Sequence, residues 1–269
     1  MNNEPIELKV ENLTIKFGSG TNSVKAANGI SFVLHREETL AIVGESGSGK
    51  STTALSLLRL LPRSGKIVSG KIWFETNDIS TYNDRELQSL RGNKISMIFQ
   101  DPMTSLNPIN TIGEQIMEPL IHHLQLNTRE AKLKTIELLN LVKISSPKEK
   151  IDCYPHQLSG GMKQRVMIAI ALACSPTILI ADEPTTALDV LIQAQILELF
   201  ESLKKEIKLS MILITHDLGI VSGIADRTLV MYAGEIVESG PTHEILESPF
   251  HPYTIGLLNC RPRKSTQET

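Results

Sequence analysis

Cysteine is scarce in this chain. Three occur in 269 residues, Cys153, Cys174 and Cys260, far apart, odd in number and without a C-x-x-C pair. That excludes a disulfide framework and a zinc ribbon and leaves reduced thiols as the plain reading. Aromatic residues are few as well, at 4% with a single Trp. A surface that stacks the bases of single-stranded nucleic acid needs several aromatic platforms. Charge of one sign is missing too, since 27 Lys and Arg face 30 Asp and Glu for a net of −3. A chain so nearly balanced exerts no strong pull on nucleic acid or anionic lipid, and no nucleic-acid partner is expected. The basic run Arg261-Pro262-Arg263-Lys264 is short enough to be a solvated tail. Long hydrophobic runs are absent. The most apolar stretch, 166–181, is too short to span a bilayer and is interrupted by Ser175 and Pro176. The start, Met1-Asn2-Asn3-Glu4-Pro5, lacks the basic and apolar regions of a signal peptide. If the chain serves transport, other chains must form the path.

What is present is an ordinary globular composition, 41% apolar and 21% charged, in a chain long enough to bury a sizeable core. Residues 6–17 and 24–34 read as strands joined by a turn at 18–22, and alternation in Ile6-Glu7-Leu8-Lys9-Val10 supports the first. The apolar run 39–43 ends in a glycine-rich loop, and helix formers follow from Lys50 to Leu61, stopping at Pro62. Strands are expected at 67–74 and 95–99. Between 111 and 142 the spacing turns helical, through Ile112, Ile116, Leu120 and Leu124, then Leu133, Leu138, Leu139 and Val142. Asn127-Thr128-Arg129-Glu130 carries an N-cap signal that divides this stretch. Beyond it, strands at 177–181, 211–215 and 229–232 alternate with helices at 161–174 and 190–208. Apolar strands alternating with helices indicate a parallel sheet covered on both faces.

The strongest single motif is Gly44-Glu45-Ser46-Gly47-Ser48-Gly49-Lys50-Ser51, which fits G-x-x-x-x-G-K-[ST] between a strand and a helix. Its glycines let several backbone N–H groups turn toward one phosphate, and the helix adds its positive end. Lys50 is then expected at the β- and γ-phosphates and Ser51 on Mg²⁺, with Thr52 beside it. In Ile178-Leu179-Ile180-Ala181-Asp182-Glu183, an apolar strand ends in two acids. Asp182 suits the shell of the Mg²⁺, and Glu183 could polarise the attacking water. The same pair could serve as helix N-cap chemistry. A third feature, Leu158-Ser159-Gly160-Gly161-Met162-Lys163-Gln164-Arg165, opens a helix and makes a second anion cradle. One nucleotide cannot obviously use two cradles, so the second points to a partner's nucleotide.

In that order and spacing, the phosphate loop, Gln100, Leu158-Ser159-Gly160-Gly161, Asp182-Glu183, Ala187-Leu188-Asp189 and His216 resemble the ABC ATPase family over almost the whole chain. The resemblance implies an α/β fold: a P-loop NTPase (RecA-like) core with an N-terminal antiparallel β subdomain and an inserted α-helical subdomain. The core with its β subdomain would comprise 1–100 and 159–240, the helical subdomain 101–158, and a C-terminal element and tail 241–269. It implies ATP and Mg²⁺, and two cassettes facing head to tail with each ATP between one phosphate loop and the other subunit's Ser159, Gly160 and Gly161. Phe17 would stack on adenine, although a core strand Phe reads the same way. Gln100 would contact Mg²⁺ or water and sense the membrane partner. Asp189 would lie at the dimer seam, and His216 would touch the γ-phosphate, although a lone His at a strand end is more often a packed core residue. Met162 stands where many family members have Gln, which leaves the cradle itself intact.

The segments Gln100-Asp101-Pro102-Met103-Thr104-Ser105-Leu106-Asn107-Pro108, Asp182-Glu183-Pro184-Thr185-Thr186-Ala187-Leu188-Asp189-Val190 and Ser248-Pro249-Phe250-His251-Pro252-Tyr253-Thr254 resemble the dipeptide, oligopeptide and nickel importer branch. That branch implies two integral-membrane permease subunits, a second and different cassette, an extracellular or periplasmic substrate-binding protein acting indirectly, and a peripheral place on the cytoplasmic face of the membrane. The short C-terminal part, with Cys260 alone, is similar to nickel or metal-chelate importers and implies no iron–sulfur cluster. His122 and His123 invite a metal reading but are expected to be surface or core residues. A cassette ATPase not coupled to transport would share the site. Chromosome-type members, however, need a long coiled-coil insertion and translation-type members two cassettes, and neither is here. A P-loop GTPase or kinase would share only the first motif.

Overall fold

The computed structural model describes residues 5–18, 23–100, 105–186 and 188–260. The turn residues 19–22, Asp101 to Thr104 of the branch motif, Ala187 and the basic run 261–264 lie outside them.

Two sheets carry the fold. The first is antiparallel, with strand order β2-β1-β4-β5, built from β1 (Ile6–Phe17), β2 (Val24–His35), β4 (Gly65–Phe74) and the two-residue β5 (Asn77–Asp78). The second has six strands in the order β10-β9-β3-β8-β7-β6. β3 (Thr39–Val43), β6 (Ile95–Ile98), β7 (Ile178–Asp182), β8 (Ser210–Thr215) and β9 (Arg227–Tyr232) run parallel. β3, β7 and β8 are buried along their whole length, which is why they read as continuous apolar runs. The side chains of β7 and β8 alternate between two cores. Ile178, Ile180, Ile212 and Ile214 meet Leu8, Leu13, Ile15 and Leu34 of the antiparallel sheet. Leu179, Ala181, Met211 and Leu213 face the other way, into a core shared with helices.

That helical layer contains α3 (Ile112–Leu124), α4 (Thr128–Leu141), the single turn α5 (Pro147–Lys150), α6 (Gly160–Leu172) and α7 (Val190–Ile207). Asn127 caps α4: its side chain accepts from Glu130 N–H while Glu130 accepts from Asn127 N–H. This reciprocal capping box ends the backbone's search for partners at the helix start.

Three expectations change. The helix after the phosphate loop, α1, spans Lys50–Leu57 and not 50–61, because Arg59 enters the left-handed region at φ 51° and turns the chain before Pro62. The parallel sheet carries an antiparallel edge strand, β10 (Glu235–Pro241), joined to β9 through Ala233 and Gly234. A short helix, α2 (Asp84–Leu90), lies between β5 and β6. The chain closes with α8 (Leu218–Val221), α9 (Thr242–Glu247) and α10 (Pro252–Asn259). Among the described residues no helix is long and apolar enough to cross a membrane.

Candidate functional site

The site forms where β3, β7 and β8 end. Beyond Val43 the loop 44–49 folds against the ends of β9 and β2. Gly44 (φ 153°) and Gly49 (φ 103°) press on backbone, and a Cβ at either would lie 2.2 Å from the Met231 carbonyl oxygen and 2.1 Å from that of Ala26. Only glycine fits both the conformation and the space. Gly49 is also the N-cap of α1, with no side-chain cap and no acid in the first turn. The N–H groups at that helix start are thus left for an anion.

Lys50 is 4% exposed, and its ammonium donates to the carbonyls of Gly44 at 2.7 Å and Glu45 at 2.8 Å, with Ser48 Oγ at 3.5 Å. Burial lowers its pKa, and the carboxylates of Glu183, Asp182 and Glu45 oppose that fall. Ser51 Oγ donates to Asp182 Oδ1 at 3.0 Å. Asp182 is buried at the end of β7, and burial pushes its carboxyl up to about 6 against the pull of Ser51, with Glu183 raising it further and Lys50 lowering it.

Glu183 is the hub of the other half. Its Oε1 lies 3.3 Å from His216 Nδ1, and its Oε2 accepts from Gln100 Nε2 at 3.2 Å and from Thr186 Oγ1 at 2.8 Å. Its own N–H donates to the Ile214 carbonyl at 2.9 Å. His216 follows β8 with its side chain 59% exposed, so it is no packed core histidine. The acids are not N-cap chemistry either, since Asp182 ends a strand and Glu183 holds side chains from two other segments.

The structure therefore brings together Lys50, Ser51, Gln100, Asp182, Glu183 and His216. Thr186 completes the set and carries no signal in the sequence as a site residue, because a hydroxyl three positions past a glutamate has no obligatory spacing. Ser159, Gly160 and Gly161 stand on a different element. Ser159 caps α6 by accepting from Met162 N–H at 3.4 Å, and the glycines lie against Leu188 and Ile192. Asp189 caps α7, accepting from Ile192 N–H at 2.9 Å. Phe17 lies partly buried at the end of β1 with its ring over Gly65, and it packs against the antiparallel-sheet core.

The family described as ABC transporter matches residues 27–186. The chain belongs to the ABC transporter family. It is thus an ABC ATPase that binds ATP. A second family, described as oligopeptide/dipeptide transporter, C-terminal region, matches residues 237–269. The dipeptide transport ATP-binding protein DppD of Bacillus subtilis is 52% identical over 257 residues, covering 95% of this chain and 77% of the relative. The oligopeptide transport ATP-binding protein OppD of Salmonella typhimurium is 50% identical over 260 residues, covering 97% and 77%. Among solved structures, the ATP-binding cassette MJ0796 in a dimeric post-hydrolysis state bound to ADP and Pi superposes with a TM-score of 0.78 at 29% identity, covering 87% of this ABC ATPase and 98% of that chain. The cbiO1 cassette of Clostridium perfringens, part of the ABC transporter complex cbiONQ, gives 0.76 at 30% identity, covering 90% and 91%.

Proposed function

We propose that this chain is the ATP-hydrolysing subunit of an importer of dipeptides or oligopeptides, working as one of two cassettes against separate membrane subunits. One observation carries the reading: an assembled hydrolysis site, with Glu183 gripped by Gln100, Thr186 and His216, shares the chain with an oligopeptide/dipeptide-type C-terminal region. The peptide cargo follows the relatives of about half-identical sequence. The metal-chelate alternative has only chain length behind it.

In this reading residues 44–52 hold the triphosphate, Lys50 grips the β- and γ-phosphates, and Phe17 lies against the adenine. The donor set fits Mg²⁺: the Ser51 hydroxyl, the Asp182 carboxylate and the Gln100 amide oxygen are hard oxygen ligands. The buried Asp182 carboxyl, pushed up to about 6, gains from a cation beside it. Bound there, Mg²⁺ would supply charge neutralisation for the triphosphate. Glu183 orients a water and takes its proton as the water oxygen attacks the γ-phosphorus and ADP leaves. His216 holds the γ-phosphate and, with Gln100 and Thr186, fixes the Glu183 carboxylate. Ser159, Gly160 and Gly161 of each cassette close the other's site, and Asp189 lies along that seam. ATP binding favours the closed pair and hydrolysis releases it, a population shift by a ligand that prefers one state.

The segment 101–158 and Gln100 pass this motion to the permeases. An apolar groove beside Gln100, lined by Phe99, Leu106, Pro119, Met167 and Ile170, supports a docked membrane-subunit helix. The complex sits at the cytoplasmic face of the cell membrane and receives cargo from a binding protein on the far side.

The test is a strain carrying Glu183→Gln, assayed for uptake of labelled di- and tripeptides, with cell nickel measured in the same cultures. Peptide uptake should fall to background with nickel unchanged. The purified variant should turn over about a hundredfold more slowly, the scale of a lost general base, and should accumulate as an ATP-bound pair. Intact peptide uptake with depleted nickel would move the cargo to a metal chelate. Intact peptide and nickel would detach the ATPase from import altogether.

A further inference from the structure

The C-terminal element has no part in the hydrolysis scheme above, yet it touches the phosphate loop. The N–H of Glu45 donates to the hydroxyl of Tyr253 at 2.9 Å, across 208 positions of sequence. The carbonyl of the same residue accepts from Lys50 Nζ at 2.8 Å and from Ser48 N–H at 3.2 Å. Glu45 therefore links a C-terminal side chain to the lysine of the nucleotide site.

Tyr253 is itself firmly placed. It is the second residue of α10, whose N-cap His251 accepts the Tyr253 N–H on Nδ1 at 3.2 Å. Glu238 on β10 anchors the approach to that helix, accepting the N–H groups of Phe250 at 2.7 Å and His251 at 3.1 Å. The Tyr253 ring packs on Tyr232 with centroids 4.4 Å apart. Tyr232 ends β9 directly after Met231, whose carbonyl backs Gly44. The strand end that confines the start of the loop thus also packs against the tyrosine that holds its second residue.

We propose that Tyr253 is a positioning residue for ATP: its hydroxyl fixes the Glu45 peptide and, through it, the placement of Lys50 and the entrance of the phosphate loop. Glu45 is exposed, so water replaces the lost bond when the hydroxyl is removed, and the effect is that of one neutral hydrogen bond, about fivefold in affinity. Lys50 serves the bound nucleotide and the transition state alike, so the loss falls on binding and KM and spares kcat. The inference concerns ATP alone, so it stands or falls independently of the imported cargo.

The experiment uses the full chain with Tyr253→Phe, which keeps the ring, and Tyr253→Leu, which removes ring and hydroxyl. A fluorescent ATP analogue gives Kd, steady-state ATPase gives KM and kcat, and thermal unfolding gives Tm. Tyr253→Phe should keep the wild-type Tm while Kd and KM rise about fivefold, with kcat unchanged. Tyr253→Leu should show the same affinity loss and a lower Tm. Wild-type Kd and KM in Tyr253→Phe would overturn the proposal. So would an affinity loss confined to Tyr253→Leu, which would make the role one of support for α10 and nothing more.

Discussion

Glu183 occupies the left-handed backbone region, at φ 46°, where a side chain of its size rarely sits. Such strain costs on the order of 1 kcal/mol and persists where the surroundings enforce it. Here the Ile214 carbonyl holds its N–H, and three side chains hold its carboxylate. Thr186→Val keeps the shape and removes one charge-assisted donor. Its kcat should fall about tenfold, the scale of a hydrogen bond to a charged group, while the KM for ATP stays near wild type in steady-state assays. An unchanged kcat would mean that Gln100 and His216 suffice. The legibility of the site divides along the same line. Gly44, Gly49, Lys50 and the pair Asp182-Glu183 were readable because cradling a phosphate demands glycine at fixed spacing and acids at a strand end. Thr186 has no such obligatory spacing, and the contact between Glu45 and Tyr253 is invisible until the fold closes 208 positions.

Among the described α-helices, α2, α3 and α4 start with the same reciprocal box: Asn83 with Glu86, Thr111 with Glu114, and Asn127 with Glu130. The signal at Asn127 is legible because a long apolar periodicity surrounds it. The identical pattern at Asn83 is not, since α2 is only seven residues long and wedged between strands. β10 escaped for a related reason. Its turn, Ala233-Gly234, takes positive φ at both residues, 48° and 83°, the twist that hairpins favour, but without the Asn-Gly or Asp-Gly that usually announces it. Asn127→Ala should lower stability by about 1 kcal/mol, seen as a Tm roughly 2–4 °C lower in thermal unfolding followed by circular dichroism. A Tm equal to wild type would mean that packing in the helical layer alone holds the start of α4.

Across the whole molecule, the antiparallel sheet meets the core sheet at a buried acid. Glu7 of β1 is 2% exposed, accepts the Ser210 hydroxyl of β8 and lies 3.8 Å from Arg36 Nε. Burial raises its pKa above the usual 4.5, and the Ser210 hydrogen bond and Arg36 only partly offset that. Because the folded value exceeds the unfolded one, its contribution is fully present below the ordinary carboxylate range and is lost as pH rises through the folded value. Glu7→Gln keeps the acceptor and cannot ionise, so its Tm should gain on wild type as pH rises above the ordinary carboxylate range. Parallel Tm curves would remove Glu7 as the cause. The same sheet order bears on how the protein is made. β3 leads into the phosphate loop, yet its neighbours are β8 and β9, with Thr39 beside Met211 and Leu40 beside Arg227. A ribosome releases this apolar strand well before its partners. Until β8 and β9 emerge, the nascent chain carries an unpaired apolar segment and no complete nucleotide pocket, so ATP can act as a folding ligand only after those strands have been made.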